Sequence, residues 1–120
     1  MWRRRVDLAT LRAALWAQRA LLQARRELRN GRLEDIELIQ PPSVASTAER
    51  GVHALLRRRP ATCLERALVL QRWHAARGRP REIVIGVRGP TEEFSAHAWL
   101  EGEPDGEARD FQELLRLPAS

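Results

Sequence analysis

The sequence predicts an α+β domain in which three helices are followed by a small antiparallel sheet. Apolar residues recur with helical spacing through the first two thirds of the chain. Short apolar or alternating runs, bounded by glycine and proline turns, follow after Gly78 and indicate strands. Because 120 residues can bury one hydrophobic core, we expect a single domain over residues 1–120.

The first helix is predicted over residues 5–29 and ends at Asn30-Gly31. We expect its apolar face to comprise Leu11, Ala14, Leu15, Leu21, Leu22 and Leu28. A basic stripe runs along another side, because arginines recur every seven residues at Arg5, Arg12, Arg19 and Arg26. The stripe is either an ordinary solvated face or a surface that docks an acidic peptide or partner domain.

Two further helices are predicted before the sheet. Residues 33–42 form a short strand or an extended linker, and Ser46 and Glu49 then have the spacing of a cap for the second helix. After the break at Pro60, Thr62 and Glu65 form a predicted capping box. This box makes Cys63 the first residue of the third helix.

The strands are read from hydropathy and turn signals. A strand is predicted over residues 82–88, and its run Ile83-Val84-Ile85-Gly86-Val87 is apolar on both faces, which indicates a central strand. Gly86 is interpreted as room for the cysteine helix to lie close. Residues 94–102 alternate, with Phe94, Ala96, Ala98 and Leu100 on one face and Ser95, His97 and Trp99 on the other. The Glu-Pro-Asp-Gly turn that follows predicts a hairpin between residues 94–102 and 107–111.

Cys63 is the only cysteine, and its predicted position suggests a nucleophile. A helix N-terminus favours a thiolate through its dipole and its unpaired N–H groups. A free cysteine is commonly just a buried apolar residue, but a core cysteine needs neither a cap nor a proline break. One cysteine also excludes an internal disulfide and a cysteine-rich zinc site, and we expect no metal and no cofactor.

His97 is the predicted base for this thiol. His74 shares a helix face with Cys63 but lies 11 residues further on, which is about 16 Å along the axis. His53 belongs to the preceding helix and is less favoured. A strand histidine on the face opposite the core is better placed.

A third residue should orient the imidazole of His97. Asp110 stands directly opposite His97 if the hairpin loop comprises residues 102–105, whereas a tighter turn moves it three positions away. Glu101 and Asp105 are weaker candidates. Trp99 shares the His97 face and is expected to shield the imidazole, to form a wall of a substrate site, or only to pack.

At these positions the chain resembles a known family, over about Arg59 to Asp110. The matching segments, in order, are Cys63-Leu64-x-Arg66-Ala67-Leu68-x-Leu70, Ile83-Val84-Ile85-Gly86-Val87-Arg88 and Phe94-x-Ala96-His97-Ala98-Trp99-Leu100-Glu101. Together they are similar to the transglutaminase-like domain of the leader peptidases of lasso-peptide biosynthesis. The chain departs from that pattern in Ala67, where serine is common, and in a longer turn before the acid.

The resemblance implies a papain-like or transglutaminase-like fold, with a helix and linker in residues 1–42 and a catalytic core in residues 43–120. It implies a Cys63-His97-Asp110 triad that cuts the leader from a ribosomally made lasso-peptide precursor. The implied partners are the precursor's leader region, a separate leader-recognition domain protein and a lasso cyclase. Arg12, Arg19 and Arg26 are the expected docking face for the recognition protein.

Two other classes of function stay open. The same triad can transfer an acyl group to an amine, as transglutaminases do, and a non-catalytic peptide-binding module would tolerate Cys63→Ala. The net charge of +5 suggests an acidic partner, but no zinc motif or aromatic pattern supports nucleic-acid binding. Arginines interrupt the N-terminal apolar residues, so we expect neither a signal peptide nor a membrane association, and a free thiol suits the cytoplasm.

Overall fold

A computed structural model describes residues 7–31, 33–88, 95–106 and 108–119, and it confirms the α+β class. The helices are α1 (Leu8–Arg29), α2 (Glu49–Arg58) and α3 (Cys63–Ala75), and the strands are β1 (Ile83–Arg88), β2 (Ser95–Leu100) and β3 (Gln112–Leu117). Short 3₁₀ turns lie at Leu33–Asp35, Ser46–Ala48 and Ala108–Asp110. Arg5 and Phe94, named in the predictions, lie outside the described residues.

The sheet has the strand order β2-β1-β3, and both pairings are antiparallel. β1 is therefore central, as its apolar faces predicted. The predicted hairpin is wrong, because β2 and β3 lie on opposite sides of β1 and do not pair with each other. The chain leaves β2, crosses the sheet and adds β3 at the far edge.

The face of α1 that packs on the rest of the protein differs from the predicted one. Leu21 is buried as expected, but Leu11, Leu15 and Leu22 are exposed. The buried positions are instead small residues and one tryptophan: Ala13, Trp16, Ala17, Ala20 and Ala24. Alanines let neighbouring helices approach closely, so close packing and not side-chain hydropathy selects the buried face.

Gly51 shows how closely α1 and α2 approach. A Cβ atom built at Gly51 would overlap the backbone carbonyl oxygen of Thr10 in α1. The two helices are therefore in contact through backbone atoms at this point, where only a glycine fits.

The predicted cap of the second helix is wrong. Ser46 begins a 3₁₀ turn, and the N-cap of α2 is Ala48, which has no side-chain capping bond. The carboxylate of Glu49 instead accepts a 3.2 Å hydrogen bond from Nε1 of Trp73, a fully buried residue of α3. Glu49 thus holds α2 to α3 rather than reaching back along its own helix.

The segment between α1 and α2 is an extended linker, one of the two predicted alternatives. It lies along the helices, where Trp16 Nε1 donates to the carbonyl of Ile39 and Arg72 Nε to that of Leu38, each at 3.0 Å. One hydrophobic core joins side chains of the helices, this linker and the sheet. Among the described residues, no helix is both long enough and apolar enough to cross a bilayer.

Candidate functional site

Cys63 is the first residue of α3, as predicted. The capping box is present in both directions: Glu65 N donates to Thr62 Oγ1 at 3.1 Å, and Thr62 N donates to Glu65 Oε1 at 3.0 Å. Arg25 of α1 adds a contact that the sequence did not indicate, because it bonds both the Glu65 carboxylate at 3.3 Å and the Pro60 carbonyl at 2.7 Å. These bonds fix the chain on either side of the thiol.

The sulfur of Cys63 lies against the outer edge of β2. The backbone N–H of Ala98 donates to Sγ at 3.3 Å, and Cys63 is half-buried. β2 is an edge strand, so this N–H faces α3 and not another described strand. An N–H directed at sulfur, together with the helix N-terminus, stabilises negative charge on the sulfur.

His97 is the neighbour of Ala98 in β2 and bonds a carboxylate. Its Nε2 lies 2.7 Å from Oδ2 of Asp105, and the exposed fractions of the two side chains are 15% and 19%. A carboxylate only accepts hydrogen bonds, so Nε2 carries the proton and Nδ1 is the basic nitrogen of the neutral ring. Among the described residues, Nδ1 has no hydrogen-bond partner and none joins the ring to Cys63.

The acid that meets His97 is Asp105, and the assignment of Asp110 needs correction. Asp110 is exposed at the end of the Ala108–Asp110 turn, and since β3 does not pair with β2 it cannot stand opposite His97. The chain turns earlier than predicted: Glu103 N donates to the Leu100 carbonyl at 3.1 Å, with Gly102 at a φ of +91°. This turn folds the following residues back over the His97 face.

The other acid considered, Glu101, is also displaced from His97. Its carboxylate accepts a 2.7 Å bond from Arg116 of β3. The same guanidinium contacts Glu82 at 3.1 Å and Glu113 at 2.8 Å, so it joins residues from or beside all three strands. The strong hydrogen bonds from Arg116 lower the pKa of Glu113.

Two aromatic rings hold the imidazole. The Trp99 ring lies 5.7 Å from it at an interplanar angle of 25°, and the Phe111 ring lies 5.2 Å away at 35°. Trp99 was singled out from its strand face, whereas Phe111 was missed because it belongs to the crossover. The Trp99 ring therefore packs on the imidazole, and Trp99 also lines the cleft described below, so its predicted alternatives stay open.

Gly86 makes room for these rings and not for the cysteine helix. It is the cross-strand partner of His97, and a Cβ there would lie 2.9 Å from Phe111 Cβ and 3.1 Å from the Trp99 ring. The interpretation of Gly86 as a close-approach site for α3 is therefore wrong. A glycine within an apolar central strand indicates a close approach, and here the groups that approach it include the two aromatic side chains beside His97.

Cys63, His97 and Asp105 all line one cleft of about 290 Å³. Arg66 and Leu70 of α3 form one side, and Trp99, Glu103 and Pro104 contribute to the other. A thiol, an imidazole and a carboxylate are the kinds of group that covalent acyl chemistry uses as nucleophile, base and orienting acid. The missing thiol–imidazole bond is common in sites without substrate.

Glu103, in the wall of this cleft, is joined to the buried His74. Nε2 of His74 lies 2.8 Å from Oε1 of Glu103, and only 2% of His74 is exposed. Burial lowers the pKa of His74 below its ordinary value, against the opposing effect of the Glu103 hydrogen bond. His74 lies near the other end of α3 from Cys63, which is why it was not chosen as the base. Through Glu103 it anchors the loop that contains Asp105.

Because the pKa of His74 is lowered in the folded protein, we expect the protein to be less stable in mild acid than at neutral pH. The unfolded chain takes up a proton at His74 below a pH of about 6.5, whereas the folded protein resists that proton until a lower pH. The free energy of unfolding should therefore decrease from pH 7.5 to pH 5.5. Urea denaturation at several pH values measures this slope, and His74→Gln should reduce it; an equal slope in both proteins would contradict the prediction.

One group of side chains has the composition of a metal site. Ligand atoms of Glu49, His53 and Glu103 lie within 4.8 Å of one another. Each carboxylate also contacts a guanidinium, Glu49 that of Arg79 at 3.3 Å and Glu103 that of Arg81 at 3.9 Å. We therefore describe the group as an ion-pair network that joins α2 to the loop after β2.

The residues of the basic stripe lie apart from this cleft. Arg12, Arg19 and Arg26 are exposed along α1, whereas the cleft is lined by residues of α3, β2 and the loop that follows. They therefore do not take part in the chemistry of the thiol.

The chain matches the sequence profile of a known protein family. The profile of the transglutaminase-like superfamily matches residues 2–116. No curated protein and no solved structure matches the chain.

Proposed function

The chain belongs to the transglutaminase-like superfamily, and from this premise we propose that it is a cysteine peptidase. Cys63 is the nucleophile, His97 the base and Asp105 the residue that orients the imidazole. The observation that carries the proposal is the cleft that all three residues line, with Asp105 bonded to Nε2 of His97.

In the first half of the reaction, Nδ1 of His97 takes the thiol proton as Sγ of Cys63 attacks the scissile carbonyl carbon. The resulting imidazolium gives this proton to the leaving amine, the C–N bond breaks, and a thioester remains on Cys63. Asp105 stabilises the imidazolium through the Nε2–H bond. The backbone N–H of Cys63, at the helix start, is the proposed donor to the carbonyl oxygen.

In the second half, His97 removes a proton from water. The hydroxide attacks the thioester carbonyl, the C–S bond breaks, and the proton returns to the sulfur. The products are a free amine and a carboxylic acid. If an amine replaced water at this step, the same residues would perform acyl transfer, so the nature of the acceptor distinguishes the two activities.

For the substrate, we propose the leader region of a lasso-peptide precursor. The support is the resemblance of the segments around Cys63, Ile83 and His97 to the leader peptidases of that pathway. The proposal includes a separate leader-recognition protein and a cyclase that uses the amine freed by cleavage. It requires genes for a short precursor and for a cyclase near the gene of this protein.

The direct test is to incubate the purified chain with that precursor, with and without the recognition protein, in water enriched in ¹⁸O. Hydrolysis adds ¹⁸O to the new carboxylate, which mass spectrometry detects, and Cys63→Ala is the control without a nucleophile. Incorporation of an added primary amine, with little ¹⁸O, would instead establish acyl transfer. Full function of Cys63→Ala would establish a binding module.

A second test needs no substrate. Iodoacetamide alkylates the thiolate form of cysteine, so His97→Ala is expected to slow the labelling of Cys63 by removing the proton acceptor. The measurement is the rate of mass increase at pH 6.5 in the folded protein. His53→Ala, on the neighbouring helix, is the matched control, and an equal rate in the His97 and His53 variants would contradict the assignment of the base.

A further inference from the structure

α1 exposes a row of leucines on the side away from the core. The exposed fractions are 73% for Leu8, 48% for Leu11, 58% for Leu15 and 48% for Leu22. We call these four residues the leucine face. Four leucines exposed to this extent on one helix are unusual for a surface without a partner.

Their spacing is that of a helix that packs on another helix. Leu8, Leu15 and Leu22 are seven residues apart and occupy successive a positions of a heptad, and Leu11 occupies the first d position, which Gln18 takes in the next heptad. The other side of α1 is already packed in the core through Ala13, Trp16 and the further alanines. The leucine face is therefore a second packing surface on the same helix.

Charges beside the leucine face specify the kind of partner. Arg12, Arg19 and Arg26 are exposed and occupy successive e positions, next to the leucines. The only acidic residue within α1 is Glu27, which lies to one side at an f position. A second copy of this helix would bring arginines against arginines in an antiparallel pair and would offer them no acidic partner in a parallel pair, whereas a helix with acidic residues would pair with them.

We propose that the leucine face docks an amphipathic helix of another protein, with apolar residues against the four leucines and glutamate or aspartate against Arg12, Arg19 and Arg26. The proposal does not depend on the chemistry at Cys63, because the cleft is lined by other elements. It extends the basic stripe into a surface with both an apolar and a charged component.

The test uses two synthetic peptides of three heptads, each with leucine at a and d. One has glutamate at e and g and the other has lysine there. We expect the full chain to bind the acidic peptide at least about 10-fold more tightly than the basic one in fluorescence anisotropy, with a difference that shrinks at high salt. Hydrogen exchange should slow in α1 when the acidic peptide binds.

Variants separate the two components of the surface. Leu11→Ser with Leu15→Ser should weaken binding at all salt concentrations, and Arg12→Glu with Arg19→Glu should weaken it mainly at low salt. Leu114→Ser, at another leucine with 62% exposure, and Arg58→Glu, on the exposed surface of α2, are the matched controls. Circular dichroism verifies that each variant is folded.

Three outcomes would overturn the proposal. Equal affinity for the two peptides, or none for either, would remove the charge-matched helix as occupant. A dimer in sedimentation that Leu15→Ser dissociates would make a second copy the occupant. Flotation with phosphatidylglycerol vesicles that is lost in the leucine variant would make a lipid surface the occupant.

Discussion

Alanine in place of His97 is expected to lower the rate of peptide cleavage by about 10⁴-fold or more, because nucleophile and base act as one unit. Alanine in place of Asp105 should lower it by about 10²- to 10⁴-fold, since the imidazole loses both its orientation and the partner of its positive form. Asp105→Asn should fall between Asp105→Ala and the unaltered protein. The measurement is the initial rate of product formation by mass spectrometry.

Asp110→Ala is the matched control for this series. Asp110 is an exposed aspartate of the same crossover, five positions further on, and it does not contact His97. Its replacement should leave the cleavage rate within about twofold, as for most exposed side chains without partners. A loss equal to that of Asp105→Ala would show that Asp110 is the orienting acid and that the 2.7 Å bond to Asp105 is not used.

Alanine in place of Gly51 is expected to destabilise the protein by about 3 kcal/mol, the upper end of the usual effect of overpacking. A new Cβ would overlap the carbonyl oxygen of Thr10, which belongs to the backbone of α1 and cannot move aside as a side chain can. The helices must separate instead. A loss of this size is a large fraction of the stability of a small domain.

The sign of the stability change at Gly51 distinguishes a close backbone contact from intrinsic helix propensity. In a helix without tertiary contacts, the change from glycine to alanine stabilises by about 1 kcal/mol. Urea denaturation of Gly51→Ala should therefore show a lower free energy of unfolding, whereas intrinsic helix propensity alone would raise it. Gly106→Ala is the control, because a Cβ there has no neighbour within 4 Å; an unchanged or increased stability of Gly51→Ala would contradict the close approach of α1 and α2.

Local signals predicted the position of Cys63 at the start of α3 correctly. The capping box of Thr62 and Glu65 lies within four consecutive residues, and such local bonds need no knowledge of the rest of the fold. The central position of β1 also followed from its own residues, because both of its faces are apolar. These elements place Cys63 and the sheet that faces it.

Predictions that depended on distant partners failed. The hairpin assumed that consecutive strands pair, but the turn at Gly102 diverts the chain across the sheet, so Asp105 and not Asp110 reaches His97. Ser46 and Glu49 had the spacing of a cap, but Trp73 from α3 bonds the Glu49 carboxylate instead. In each case a contact from elsewhere in the fold replaced the local alternative.

The prediction of the buried face of α1 was wrong for a related reason. Hydropathy places leucine inside, yet the closest helix contacts require alanine and glycine, as at Ala13 and Gly51. A row of alanines in phase with Trp16 was the available signal. In the part of the chain that the structure describes, Leu11, Leu15 and Leu22 are exposed.

The crossover after β2 links the chemistry of the site to the order in which the protein is assembled. Asp105 and Phe111, which hold two sides of the His97 ring, belong to the segment that leads into β3. A chain still being synthesised, and ending before Phe111, already contains the thiol, the imidazole and Asp105 but lacks one of the two aromatic rings that pack on the imidazole. The aromatic support of His97 is therefore complete only after the segment that leads into β3 has been synthesised.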